Sequence, residues 1–265
     1  MFTLWCNLVG AMIFMTLAFA VAQWRKRLDI ADIAWGLVFI VIAVTSYAVG
    51  GTNSTRPLVM TTLVTLWGLR LSAHIFLRFI RKPDEDRRYA VMREGYVKHP
   101  VLLPYFKVFI SQGLLALVIT LPLTIACTTS DYYFGWLSGV GVFIWGIGFF
   151  FETLGDSQLM MFLGNKRNKG KLMTTGLWSL TRHPNYFGEI TQWWGIGIIA
   201  LATPYGWIGL LGPLTITFLI VKVSGVPLLE QAYAGRPDWE AYKAKTNKLI
   251  PWRRKATVVS DPKTS

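Results

Sequence analysis

Apolar residues in this chain gather into long blocks separated by short, strongly charged segments. A helix needs about 20 largely apolar residues to cross about 30 Å of hydrocarbon. Seven blocks meet or approach that length: 2–23, 33–50, 58–77, 108–127, 133–151, 186–202 and 205–223. The turn Thr203-Pro204-Tyr205-Gly206 divides the last apolar region in two. The pattern predicts an all-α integral membrane protein of seven transmembrane helices.

Charge then orients the bundle. Of 27 Lys and Arg residues, 25 fall in the segments 25–27, 78–107, 166–182 and 222–263, which an odd number of spans places on one face. Arg70 lies inside the third span and Arg56 on the opposite side. Cytoplasmic loops carry the Lys and Arg excess, so the expectation is N-terminus outside and C-terminus cytoplasmic. Ala18-Phe19-Ala20 resembles a signal cleavage site, but Arg25-Lys26-Arg27 follows the apolar run instead of preceding it, and the first block is read as an uncleaved span.

Composition agrees with this reading. The chain of 265 residues is 53% hydrophobic and only 15% charged, with mean hydropathy +0.42. Disorder is excluded by those figures. The net charge of +13 is accounted for by orientation, so nucleic acid is not an expected partner. Cys6 and Cys127 support neither a disulfide framework nor a metal site, and His74, His99 and His183 lack ligand spacing. Soluble motifs fail as well. Gly164 to Lys171 ends on Leu172 where a phosphate loop needs Ser or Thr, and Gly139-Val140-Gly141 lies inside a span.

Candidate chemistry therefore rests on ionisable groups in or beside the spans, which are costly in lipid. Asp29 and Asp32 open the second span; Arg70 and His74 share a face of the third. Glu152 and Asp156 close the fifth, and Glu189 with Trp193-Trp194 opens the sixth. The plain alternative is a set of interfacial and interhelical ion pairs. Pro184 suits the first turn of a helix. From there Arg182, Tyr186, Glu189 and Trp193 fall on one face, with Asn185 beside Glu189. A helix N-terminus favours anions, and Arg182 could take a phosphate, so a phosphorylated cofactor is the expected occupant.

Arg182-His183-Pro184-Asn185-Tyr186-Phe187-Gly188-Glu189, followed by Trp193-Trp194-Gly195, resembles the signature of a membrane family related to steroid 5-alpha-reductases. Similar stretches are 32–36, 66–71, 86–89, 224–230 and 249–252. Sterol reductases and isoprenylcysteine carboxyl methyltransferases share related forms. The resemblance implies seven helices with the N-terminal residues 1–150 toward a lipid substrate and NADPH held by 151–252; the polar composition of 253–265 reads as a mobile tail. It implies Asp156, Arg182, Asn185, Glu189, Glu230, Tyr233 and Tyr242 at the cofactor, to which the reading of the 182–193 segment itself adds His183, Tyr186 and Trp193. The Gln–Glu pair and the Tyr with which those reductases polarise a carbonyl are missing; the second span offers Asp29 and Asp32 instead.

The expected activity is NADPH-dependent reduction of an activated carbon–carbon double bond in a lipophilic, steroid- or isoprenoid-like enone. Asp32, if held protonated, would be the acid, with Tyr89 as a second candidate. The alternative is an S-adenosylmethionine-dependent methyltransferase, whose cofactor has no phosphate and needs fewer cations. A retinal protein using Lys222 and a transporter are remote, since Lys222 lies near a span end and no inverted repeat is visible. The membrane is expected to be a bacterial inner membrane or endoplasmic reticulum, and the oligomeric state is left open.

Overall fold

The computed structural model describes residues 1–52, 54–129 and 134–252. Tyr133, the expected start of the fifth span, and the tail from residue 253 lie outside the described residues. The described chain is helical, with an isolated parallel bridge between Thr181 and Asn247. Among the described residues, six helices are long and apolar enough to cross a membrane: α1 (Phe2–Arg25), α2 (Ile30–Val49), α3 (Thr55–Arg81), α5 (Leu102–Ile119), α7 (Trp136–Gly164) and α9 (Gly206–Tyr233). Between and after them lie α4 (Arg87–Glu94), α6 (Leu121–Thr128), α8 (Pro184–Ala200) and α10 (Pro237–Lys245).

The chain is therefore a multi-pass membrane protein. The sixth expected span is α8, with 17 residues, a rise of about 26 Å. The fourth expected span, 108–127, is instead two helices. Pro122 has no amide hydrogen to continue α5, and the Thr120 hydroxyl turns back to the Ala116 carbonyl at 2.7 Å. Two helices outrun their expected ends. α3 carries Arg78 and Arg81 in its last turn, where basic side chains offset the helix dipole. α7 continues past Asp156 through Leu159-Met160-Met161-Phe162-Leu163, so Glu152 and Asp156 lie within the helix and not at its end.

Two compact units divide the chain: Met1–Trp145 with Trp193–Ile216, and Gly146–Gln192 with the chain from Thr217 onward. In the first unit, α1 buries Thr3, Asn7, Ala11, Met15, Phe19 and Ala22, a four-residue repeat along one face. Its outer face exposes Trp5, Val9, Ile13, Leu17 and Val21. A helix apolar on both faces suits lipid as solvent. Inside the unit, Asn7 donates to Ser46 Oγ (2.8 Å) and Thr124 Oγ1 (3.2 Å), satisfying polar groups across three helices. The paired dipeptides Trp35-Gly36 and Trp67-Gly68 mark the crossing of α2 and α3. A Cβ on either glycine would come within 2.7 Å of the other's carbonyl oxygen.

In the second unit glycines do the same work. A Cβ on Gly148 would stand 2.5 Å from Gly188 O, and one on Gly188 would stand 2.4 Å from the Glu152 amide nitrogen. Gly155 faces Pro184 at 3.2 Å. The close backbones bring the carboxylates of α7 onto the polar side chains of α8.

Candidate functional site

In the first unit a charged cluster forms where α2 begins and α3 ends. Arg27 is fixed from several sides. Its Nε and Nη2 grip both oxygens of Asp29 at 3.1 and 2.7 Å, and Nη1 donates to the Lys82 carbonyl at 2.9 Å. The guanidinium lies 3.7 Å from the centroid of the Phe79 ring. Asp29 also accepts the Asp86 amide at 3.1 Å, and the Glu85 carboxylate accepts the Leu28 amide while pairing with Arg93 at 2.8 Å. These bonds pin the 82–86 turn against the start of α2. The turn leads into α4, capped by Asp86 on the Arg88 amide.

That placement delivers the two expected acid candidates to each other. The Tyr89 hydroxyl, on α4, donates to Asp32 Oδ1 at 2.6 Å, and Arg88 Nη2 lies 2.8 Å from Asp32 Oδ2. A carboxylate accepting from a guanidinium and a phenol has the partners of an ionised group. Asp32 and Tyr89, the two expected acid candidates, thus share one hydrogen bond in which the phenol is the donor. Burial pushes the Tyr89 phenol above its ordinary pKa, and the adjacent Asp32 charge adds to the rise. Asp86 is held below the usual carboxylate range by its Arg88 bonds, against the effect of burial. A small, open depression reaches this cluster, walled by Ile75, Arg78 and Phe79 of α3, by Lys82 just after it, and by Arg27, Asp29, Asp32 and Asp86.

In the second unit Asn185 Nδ2 donates to Asp156 Oδ1 at 3.1 Å, and Gln192 Nε2 donates to Glu152. Glu152 is 2% exposed. The first turn of α8 thus already has a carboxylate beside it, that of Asp156, which offsets the anion preference of the helix end. Arg182 also differs from expectation. Its Nε and Nη2 bind Glu230 Oε1 at 3.0 and 2.8 Å, and Nη1 donates to the carbonyls of Thr246 (2.6 Å) and Lys243 (3.2 Å). It is a fastener between α8, α9 and α10 rather than an open phosphate clamp, because sequence spacing cannot show the distant Glu230 that takes its charge.

His183 Nε2 shares Glu230 Oε1 at 3.2 Å, and its ring stacks on Tyr186 at 5.5 Å. Burial pushes the His183 pKa down to about 4 despite the Glu230 hydrogen bond. Tyr242 donates to the Trp178 carbonyl, and Tyr233 stacks on Trp239 at 5.3 Å. Glu189 is half-buried on α8. Nine of the ten expected cofactor residues thus fall in the second unit. Trp193 falls in the first, within the aromatic core on Phe39 and Trp67. The sequence reading missed Gln192, Trp178 and Trp239. Gln192 had a signal, being a polar residue in an apolar run seven residues after Asn185.

The geometry defines a class: a helical multi-pass membrane protein with a buried acid–base cluster in each of two units. The chain belongs to the DUF1295 family, described as a protein of unknown function, whose profile matches residues 18–246. No curated protein and no solved structure matches it.

Proposed function

We propose that this protein is an NADPH-dependent membrane reductase acting on the activated carbon–carbon double bond of a lipophilic enone, like the steroid 5-alpha-reductases its signature resembles. The observation that carries the reading is the Tyr89–Asp32 contact, a buried phenol on a carboxylate that lines an open depression. Such a pair is a proton donor that can be recharged from water.

The residues of the second unit fit a nicotinamide nucleotide by their chemistry. The carboxylate–amide pairs Asp156–Asn185 and Glu152–Gln192 suit ribose hydroxyls and a carboxamide, and the exposed Lys166, Arg167, Lys169 and Lys171 suit phosphates. NADPH, held by these residues, would supply the hydride for the reduction. Tyr89 delivers the balancing proton to the α-carbon, and Asp32, held by Arg88, orients the phenol and returns a proton to it from the depression. In this reading the chain has seven spans, α8 included, with the N-terminus outside and the C-terminus cytoplasmic.

A second reading has one observation in its favour. Arg182 is a buried cation of the second unit, and it is already paired with Glu230. A cofactor without phosphate, S-adenosylmethionine, would need no such cation. Thermal-shift titration of the purified protein separates the two, because a ligand held only by the folded state raises the midpoint. The reductase reading expects a rise with NADPH and none with S-adenosylmethionine, together with enone-dependent NADPH oxidation; the reverse pattern overturns it.

A further inference from the structure

Between α3 and α5 the chain runs through α4 and a string of tight turns, and several apolar side chains of this stretch point outward. Val91 is 57% exposed, Val97 79% and Val101 52%, with Met92 exposed beside Val91. So many large apolar groups on one short surface segment mark a binding surface.

The backbone holds them there. Tyr89 turns inward and is buried, while Arg87 and Val91, four residues apart, share the opposite face of α4. After α4 the Tyr96 amide donates to the Arg93 carbonyl at 3.0 Å and the His99 amide to the Tyr96 carbonyl at 3.2 Å, which leaves Val97 and Lys98 at the tip of the turn. Lys107 Nζ lies 5.7 Å from the centroid of the Tyr96 ring and ties the turn to the start of α5. The cations of the stretch divide into two sets. Arg88 and Arg93 bind inward, each at 2.8 Å, to Asp32 and Glu85. Arg87, Lys98 and Lys107 are exposed, and the sequence from 87 to 107 holds Glu94 as its single acid.

Continuity decides what covers this surface. α3 and α5 are both long enough to cross a membrane, and α4, with eight residues, is too short to do so. The connection therefore leaves and re-enters the bilayer at one face. Apolar side chains interleaved with cations suit the headgroup layer there, and exposed Lys and Arg favour anionic lipid.

We propose that residues 87–101 form an interfacial anchor for anionic phospholipid of the protein's own membrane, with Val91, Val97 and Val101 at the acyl boundary and Arg87, Lys98 and Lys107 on lipid phosphates. The anchor bears on the cluster it carries. α4 delivers Tyr89 and Arg88 to Asp32, so lipid that holds α4 in place also holds the phenol on the carboxylate. That consequence for turnover rests on the reductase reading; the lipid contact does not.

The test places a nitroxide at position 97 of the full chain, by Val97→Cys with Cys6→Ala, Cys127 being buried. The protein is held in nanodiscs of phosphatidylcholine, with or without phosphatidylglycerol. With phosphatidylglycerol the label is expected to be relaxed more by oxygen, which concentrates in lipid, than by a water-soluble nickel chelate. Arg87→Gln together with Lys98→Gln should reverse that order, since each cation near an anionic surface is worth about fivefold in affinity. Both side chains are exposed, so the thermal midpoint should not move. Enone-dependent NADPH oxidation should run several-fold faster with phosphatidylglycerol, and the double variant should lose that gain. A label that faces water in both lipids, an oxygen preference indifferent to phosphatidylglycerol, or dipolar broadening that reports a second copy against the label overturns the anchor. NADPH oxidation that ignores phosphatidylglycerol while the label responds to it overturns the link to Tyr89. An oxygen-favoured label on a protein that oxidises no NADPH in either lipid overturns the reductase reading and leaves the anchor standing.

Discussion

The Tyr89 hydroxyl meets Asp32 Oδ1 at 2.6 Å across 57 residues of sequence, with Arg88 on the other carboxylate oxygen. Under the proposed reaction the phenol delivers a proton and the carboxylate orients it. Tyr89→Phe is expected to lower enone reduction by about 10²-fold or more, the usual worth of a positioned acid, while the NADPH-induced midpoint shift stays unchanged. Asp32→Asn should reduce the rate less, since an amide oxygen still accepts from the phenol. Turnover in Tyr89→Phe at the unaltered rate would remove the assignment.

Much of this was legible along the chain, for physical reasons. Lipid as solvent demands apolar blocks of fixed length, so helices α1, α2, α3, α7 and α9 were visible as runs, and the acids inside them stood out as costly. Proximity of Tyr89 to Asp32 was not legible. It depends on Arg27 and Asp29 fixing the 82–86 turn, a tertiary event with no local signal. The same limit explains Arg182. Its place before Pro184 reads as an anion site, but Glu230, 48 residues later, reaches it first. The break between α5 and α6 had a visible cause in Pro122, which the apolar run around it obscured.

Arg182 offers a direct measure of a partly buried ion pair. Glu230→Gln leaves a guanidinium that is 6% exposed without its counter-charge. Full burial of such a break costs 3–5 kcal/mol; because the Glu230 side chain is 19% exposed, about 2 kcal/mol is expected, seen as a lower thermal midpoint. Glu240→Gln is the control. Its pair with Lys243 spans 3.4 Å between side chains about half exposed, and the midpoint should not move measurably. Equal effects at both positions would show that Arg182 is no fastener.

His183 sets an acid limit on stability. Its pKa falls from 6.5 in the open chain to about 4 in the fold, so between those values the unfolded chain binds a proton that the folded one refuses. Stability tied to this residue is intact above pH 6.5 and drains as pH falls toward 4, by up to about 3 kcal/mol. Thermal midpoints measured across that window should fall with acid, and His183→Gln should flatten the slope specifically there. A slope unchanged by His183→Gln assigns the acid sensitivity elsewhere.

Two glycines in one helix should respond oppositely to the same substitution. Gly146 and Gly148 both lie in α7, and alanine is the better helix former by about 1 kcal/mol. At Gly146 a new Cβ meets nothing within 4 Å, so Gly146→Ala should leave stability unchanged or raise it. At Gly148 it would stand 2.5 Å from Gly188 O and 2.6 Å from the Gln192 amide nitrogen, both backbone atoms that cannot swing aside. Gly148→Ala must push α7 and α8 apart, at an overpacking cost of about 1–3 kcal/mol. Separation also draws Glu152 from Gln192 and Asp156 from Asn185, so on the proposed reductase reading the variant should lose NADPH binding along with stability, whereas Gly146→Ala keeps both. A Gly148→Ala protein as stable as the original would mean the two helices do not need their close approach.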